Sequence, residues 1–275
     1  MKLYANQRSL DLSTPRIMGI LNFTPDSFSD SGQFYRLDKA LQHVEKMIKA
    51  GADIIDIGGE STRPMAEEVS PEQELARVVP VVEAVRRRFD CWISVDTSKA
   101  EVMRESAKVG MDIINDIRAL QEPNALETAA ELGLPVCLMH MQGQPRTMQT
   151  APQYNNVVEE VADFLLQRTE ACLQAGIPAR NIIWDPGFGF GKNLQHNYKL
   201  LQQLSRFAVQ GYPVLAGLSR KSMLGAVLDK SVEQRITASA AAALLAAING
   251  ALILRVHDVA ETADALKIWQ AMLNA

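Results

Sequence analysis

The sequence predicts a single-domain (β/α)8 barrel of the TIM type spanning residues 1–275. Three observations carry that expectation. Short apolar runs alternate with amphipathic stretches along the whole chain. The alternation repeats as eight units at roughly 30-residue spacing, the length of a strand plus a crossover helix, and eight such units favour closure over an open sheet. The connections entering the runs are tight, whereas those leaving them are long and polar, as expected where a barrel builds its site.

The expected strands are Arg16–Leu21, Asp53–Ile57, Trp92–Val95, Asp112–Ile114, Pro135–Met139, Asn181–Trp184, Pro213–Leu218 and Ala251–Val256. They are rich in Ile, Val and Leu without strict alternation, which suits parallel strands covered on both faces. Residues before Arg16 read as a short hairpin under the barrel. Helical period follows the strands: Leu41, Val44 and Ile48 share one face, as do Leu75, Val78, Val79, Val82 and Val85. Ser70-Pro71-Glu72-Gln73 supplies an N-cap, a proline at the first helical position and a capping-box partner. Ser98-Lys99-Ala100-Glu101 repeats the box, and Asn249-Gly250 reads as a helix stop. Tight connections include Ala50-Gly51-Ala52 and Val109-Gly110-Met111. The long ones are Asn22–Leu37, Gly58–Ser70 and His140–Tyr154.

Composition narrows the function classes. A chain 47% hydrophobic and 22% charged, with net charge −4, is an ordinary globular protein and not a general nucleic-acid binder. The densest basic run, Val85–Phe89, reads as the solvated end of a helix. The longest apolar stretch, near Ile236–Ile248, is interrupted by Thr237 and Ser239 and is too short to span a bilayer, so no membrane partner is expected. The N-terminal Met1–Asn6 lacks a signal-peptide core. Cys91, Cys137 and Cys172 are scattered without a CxxC, which fits buried thiols in a reduced, cytoplasmic setting.

Polar residues end the runs: Asn22, the segment Gly58–Pro64, Asp96, Asn115-Asp116, Met139-His140, Asp185, Ser219-Arg220-Lys221-Ser222 and Arg255-Val256-His257-Asp258. A single Asp after an apolar run is as often a helix N-cap as a site residue. A polar run-out in every unit instead points to convergence on one barrel mouth. Asp96 and Asp185 accept, Asn115 donates and accepts, and Lys221 only donates, a mixture suited to a flat heterocycle with an amidine-like edge and a carbonyl. Arg63, Thr62, Arg255 and His257 instead suit an anion. Asn22 offers a neutral oxygen to a Mg2+ held mostly by diphosphate and water.

Gly187-Phe188-Gly189-Phe190-Gly191-Lys192 lacks the spacing of a nucleotide loop. It reads as a bend that brings backbone and Phe190 to a flat ligand, or as a tight turn with both phenylalanines packed. His43 and His196 read as helix-surface and helix-start residues. His140 is open to either a site or a structural role. Neither an HExxH motif nor a clustered His/Cys set marks a transition-metal site.

In order and at barrel spacing, the segments Asn22–Asp30, Gly58–Pro64, Ser94–Thr97, Ile114–Ile117, Asp185–Lys192, Ser219–Ser222 and Arg255–Asp258 resemble the dihydropteroate synthase family of bacterial folate synthesis. The resemblance implies condensation of (7,8-dihydropterin-6-yl)methyl diphosphate with 4-aminobenzoate, with Mg2+, in a sulfonamide-targeted homodimer joined through its last helices. It places Asp96, Asn115, Asp185 and Lys221 in a pterin pocket walled by Ile117, Met139, Phe190 and Gly217, with Arg255 over the pterin face. Asn22, Thr62, Arg63, Arg255 and His257 match the diphosphate and Mg2+ group. Ser27, Phe28, Thr62, Pro64 and Ser222 match the aminobenzoate region. It gives catalytic parts to Asp96, Arg63, Arg255, His257 and Lys221. Phe23 and Met65 depart from the commonest form of the motifs.

Overall fold

The computed structural model describes residues 1–24, 33–60, 69–144, 148 and 150–275. Ser27, Phe28, Thr62, Arg63, Pro64 and Met65 lie outside the described residues. The eight expected strands are β3 (Arg16–Asn22), β4 (Ile54–Gly58), β5 (Trp92–Asp96), β6 (Ile113–Asp116), β7 (Val136–Met139), β8 (Ile182–Asp185), β9 (Val214–Ala216) and β10 (Ala251–Val256). They close in the order β10-β3-β4-β5-β6-β7-β8-β9, with every neighbouring pair parallel. Helices stand between them: α1 (Gln33–Ala50), α2 (Pro71–Arg88), α3 (Ala100–Lys108), α4 (Ala125–Leu132), α5 (Val157–Gln174), α6 (Leu194–Gln202), α7 (Ser205–Ala208), α8 (Ser222–Leu228), α9 (Ile236–Ile248) and α10 (Val259–Leu273). The chain is therefore a (β/α)8 barrel with the expected hairpin, β1 (Lys2–Ala5) and β2 (Arg8–Asp11), added at its N-terminus.

Strand geometry decides which side chains reach the barrel axis. Alternate residues share a face, and the strand register joins them around the barrel: Ile20 pairs with Asp56, Asp56 with Ser94, Gly58 with Asp96, Asp96 with Asn115, Cys137 with Ile183 and Met139 with Asp185. Asn22, Asp56, Gly58, Asp96, Asn115, Met139 and Asp185 thus belong to one inward set. Deeper members such as Met18, Ile54, Ile113, Ile183, Leu215 and Ile253 are buried and fill the barrel below the polar layer.

At the opposite end the hairpin closes the barrel floor. Its turn residues Asn6 and Gln7 both adopt positive φ, the geometry of a two-residue I′ turn. Leu3, Leu10 and Leu12 are buried against the barrel. Polar staples converge on Asp112, which the sequence assigns to a strand but which sits just before β6. Its carboxylate accepts from the Ile93 N–H at 2.9 Å, from Asn6 Nδ2 at 3.2 Å and from the guanidinium of Arg86. Arg8 lies 3.5 Å away and also donates to the Cys91 carbonyl at 2.9 Å. Asp53 likewise precedes its strand and accepts the Ile17 N–H at 3.1 Å.

The Ser70 capping box forms as expected, with Gln73 returning the bond and Pro71 opening α2. The buried residues of α2 are Glu74, Val78, Val81, Val82 and Val85, so of the expected set Leu75 and Val79 are only half-buried. The second expected box does not form. Lys99 caps α3 without a side-chain bond, because Ser98 Oγ is engaged by Asp116 and the Lys99 ammonium by Glu60 and Glu74. Asn249 and Gly250 end α9 as read, Gly250 at φ +97°. All three cysteines are free and buried.

Candidate active site

The strand ends bring together a set of charges around a residue that the sequence reading missed. Asp56, in the third position of β4, is wholly enclosed. Arg255 Nε donates to Asp56 Oδ2 at 2.7 Å, and its Nη2 donates to Asp96 Oδ2 at 2.8 Å. Asn115 Nδ2 lies 3.3 Å from both oxygens of Asp56. Asp56 therefore anchors the guanidinium that spans to Asp96 and also orients the Asn115 amide. An acid inside the run Ile54-Ile55-Asp56-Ile57, two residues before Gly58, was the available signal. A reading confined to strand run-outs passes over it.

The carboxylates and cations set one another's protonation. Burial works against the Arg255 charge, but Asp56 and Asp96 outweigh it and hold the guanidinium charged. Asp96 is pushed up to about 7 by burial, against the pull of Arg255 and with help from Asp56, Glu74 and Asp116. Asp185 is also raised by burial, although the Gly187 N–H donates to its Oδ1 at 2.8 Å. Lys221 is lowered to about 8 by burial, with Asp185 acting in the opposite sense. Its ammonium bonds the Phe188 carbonyl and sits 4.3 Å from the centroid of Phe190, a cation–π distance.

The raised Asp96 pKa has two consequences of opposite use. An unfolded Asp ionises near 3.9, so between about 4 and 7 the native state holds a proton that the unfolded chain has released. This contribution to stability is full below about 4 and is lost as pH rises through 7. Activity runs the other way if ionised Asp96 is the working form. We expect kcat/KM to rise with pH along a limb centred near 7, and Asp96→Asn to remove that limb while lowering the rate. A pH profile whose limb persists in Asp96→Asn contradicts the assignment.

Two loops complete the arrangement. Ser219 Oγ accepts the His257 N–H at 3.1 Å and lies 3.0 Å from His257 Nδ1, which orients the ring from its inner nitrogen. Arg220, at φ +58°, turns away from Lys221 and forms a two-point pair with Asp258, its Nε donating at 3.1 Å. This ties the loop carrying Lys221 to the one carrying His257. A Cβ added at Gly217 would lie 3.9 Å from Arg255 Cβ, in ordinary contact, so Gly217 borders Arg255. Asn22 comes up against Gly58, whose Cβ position is 3.8 Å from Asn22 Oδ1 and 3.7 Å from Asp96 Cβ. Phe23 donates its N–H to the Gly58 carbonyl at 2.8 Å.

Of the expected pocket walls, Met139 is buried and Ile117 and Phe190 are half-buried. The phenylalanines divide between the two readings: Phe188 packs in the core, while Phe190 lies under Lys221. Ser222 is exposed at the start of α8. His140 is buried and bonded to Lys192, a structural role. His43 is on the exposed face of α1, and His196 closes a capping box at the start of α6. Asp116 accepts from the N–H groups of Arg118 and Leu120, both at 2.8 Å, so it shapes a turn. Among the described residues no group of three or more His, Cys, Asp or Glu is placed to hold a metal ion.

A parallel barrel whose inner strand ends offer paired carboxylates, an amide and two cations defines an enzyme of the pterin-binding class, and the family model for pterin binding enzymes matches residues 18–257. The chain is 74% identical to the dihydropteroate synthase of Haemophilus influenzae, over 100% of both chains. It is 59% identical to that of Escherichia coli, over 100% of this chain and 98% of the relative. The Yersinia pestis dihydropteroate synthase solved with a sulfonamide drug complex superposes with a TM-score of 0.95 at 57% identity, covering 100% of each chain. The Xanthomonas albilineans enzyme solved with 4-aminobenzoic acid superposes at 0.94 and 49% identity, covering 100% of this chain and 98% of that one. The chain belongs to the dihydropteroate synthase family.

Proposed function

We propose that this protein condenses (7,8-dihydropterin-6-yl)methyl diphosphate with 4-aminobenzoate, releasing diphosphate and 7,8-dihydropteroate. The observation that carries the reading is the inward set Asp96, Asn115, Asp185 and Lys221, with Arg255 held between Asp56 and Asp96. The two carboxylates and the amide match the N–H-rich edge of a pterin, and Lys221 matches its carbonyl.

Chemistry then follows charge. The C–O bond breaks with its electron pair leaving on diphosphate, and the pterin ring spreads the positive charge left on the methylene carbon. Arg255 and His257, with Arg63, stabilise the departing anion, while Asp96 places negative potential beside the cation. The neutral aromatic amine attacks through its lone pair, and its surplus proton passes to water or to the diphosphate. Thr62, Pro64, Ser27, Phe28 and Ser222 are assigned to holding aminobenzoate and excluding water that would trap the cation. Asn22 contributes one neutral oxygen, a donor set that fits a Mg2+ held chiefly by diphosphate and water. When bound, that ion neutralises charge on the leaving group.

No described helix is long and apolar enough to cross a membrane. A cytoplasmic homodimer is the state we assign, with exposed Leu245 and Ile248 of α9 and Ile268, Met272 and Leu273 of α10 supplying its apolar contact. The test of function is product formation. 7,8-Dihydropteroate should appear only with both substrates and Mg2+, and excess chelator should abolish it. Hydrolysis of the pterin diphosphate at an unchanged rate without aminobenzoate would overturn the reading.

A further inference from the structure

The loop that leaves β8 is shaped by a buried lysine outside the set described above. Residues 187–191 place Gly187, Gly189 and Gly191 at φ +71°, +79° and +62°, a conformation that side chains resist. The loop also lies flush against the exit of β7. A methyl group on Gly187 would run into the His140 carbonyl, and one on Gly191 into the Gln142 carbonyl. Such a fold turns several carbonyls towards a common centre, which is unfavourable unless a donor stands there.

Lys192 Nζ stands there. It lies 2.9 Å from the Gly187 carbonyl, 3.0 Å from that of Phe190, 3.3 Å from that of His140 and 2.9 Å from His140 Nδ1. Lys192 is 2% exposed, so its amine is enclosed by these acceptors, and burial pushes it well below the usual lysine range, with Asp185 acting in the opposite sense. Burial drives the neighbouring His140 imidazole down to about 2, with Lys192 adding to the effect, so the ring is neutral and can accept. The outer side of the loop is tied separately: Asn197 receives the Gly189 N–H at 2.7 Å, and Tyr154 donates to the Gly191 carbonyl at 2.8 Å. Between these fixings the Phe188 carbonyl meets Lys221, and the Phe190 ring lies beneath it.

We infer that Lys192, with His140 as its partner, is a positioning residue for pterin recognition: a tethered amine that holds the 187–191 loop in the shape that aims Lys221 and Phe190 at the ring. This rests on the pterin reading above. It assigns Lys192 no contact with substrate. Its loss should therefore weaken pterin binding while leaving the aminobenzoate side alone.

The test is calorimetric titration of 6-hydroxymethyl-7,8-dihydropterin into the full-length protein and its variants, beside steady-state kinetics. Lys192→Met should raise the pterin Kd and the KM for pterin diphosphate about tenfold to hundredfold, the range expected of a displaced binding group. The KM for aminobenzoate should stay within about twofold if only the pterin wall moves. Should Lys192→Met fail to fold, the His140 pair decides. His140→Gln keeps a hydrogen-bonding partner for Lys192 Nζ and should retain pterin affinity, whereas His140→Leu should lose it. Equal pterin affinity in His140→Gln and His140→Leu, or a folded Lys192→Met with unchanged pterin Kd, overturns the inference. Failure of the wild-type protein to bind pterin would instead strike the proposed function.

Discussion

Arg255→Ala is expected to lower kcat by about 10²–10³, the typical loss when one electrostatic stabiliser of a transition state is removed. It should also destabilise the fold by about 3–5 kcal/mol, because a buried carboxylate loses its partner. Both effects come from one geometry. The guanidinium donates from Nε to the enclosed Asp56 and from Nη2 to Asp96, so its removal leaves two buried neighbouring acids without their cation. Arg255→Lys should recover little of either loss. A single ammonium cannot reproduce a planar fork that serves two carboxylates at once. Saturating kinetics and denaturant unfolding of the three proteins check this. An Arg255→Ala enzyme with wild-type kcat would remove the residue from the mechanism.

Asp112→Ala should be comparably destabilising and catalytically silent. Its carboxylate is buried and collects the Ile93 N–H, Asn6 and Arg86, the bonds that join the floor of the barrel to the hairpin. Losing it takes the carboxylate from Arg86, which keeps its bonds to the Gly110 and Cys91 carbonyls, and leaves a buried N–H without its acceptor, a cost of about 3 kcal/mol. For a domain of this size that corresponds to a fall in Tm on the order of 10 °C. The site lies at the other ends of the strands, so kcat and KM of the folded fraction should stay at wild-type values. Thermal unfolding followed by assay below the new Tm separates the two. A kcat loss matching that of Arg255→Ala would mean that the floor and the mouth are coupled.

The contrast between these positions shows what the sequence made legible. Strand count, closure and the residues on strand ends followed from period and spacing, since parallel strands buried on both faces leave continuous apolar runs with abrupt polar ends. Asp96, Asn115, Asp185 and Arg255 were found in that way. Asp56 was not, because it lies within a run, and only the two-residue alternation from Gly58 shows that it faces inward. Asp53 and Asp112 were read as strand residues, although they serve as staples before their strands. Ser98 had the right spacing for a cap, but Asp116, distant in sequence, engages its hydroxyl. Lys192 was hidden for a different reason. A loop with alternating positive φ values has no side-chain periodicity from which an inward lysine could be read.

We propose that the ring of strand-end residues is divided, with Asp96, Asn115, Asp185 and Lys221 recognising the pterin and Asn22 with Arg255 and His257 serving the diphosphate. Calorimetric titration of 6-hydroxymethyl-7,8-dihydropterin, which carries no diphosphate, tests that division directly when Asp185→Asn and Asn22→Ala are compared with wild type. Binding should be at least about tenfold weaker in Asp185→Asn, the loss of one charge-assisted hydrogen-bonding group of about 1.5 kcal/mol or more, and of wild-type affinity in Asn22→Ala. Unchanged binding in Asp185→Asn, or an equal loss in both variants, would contradict it.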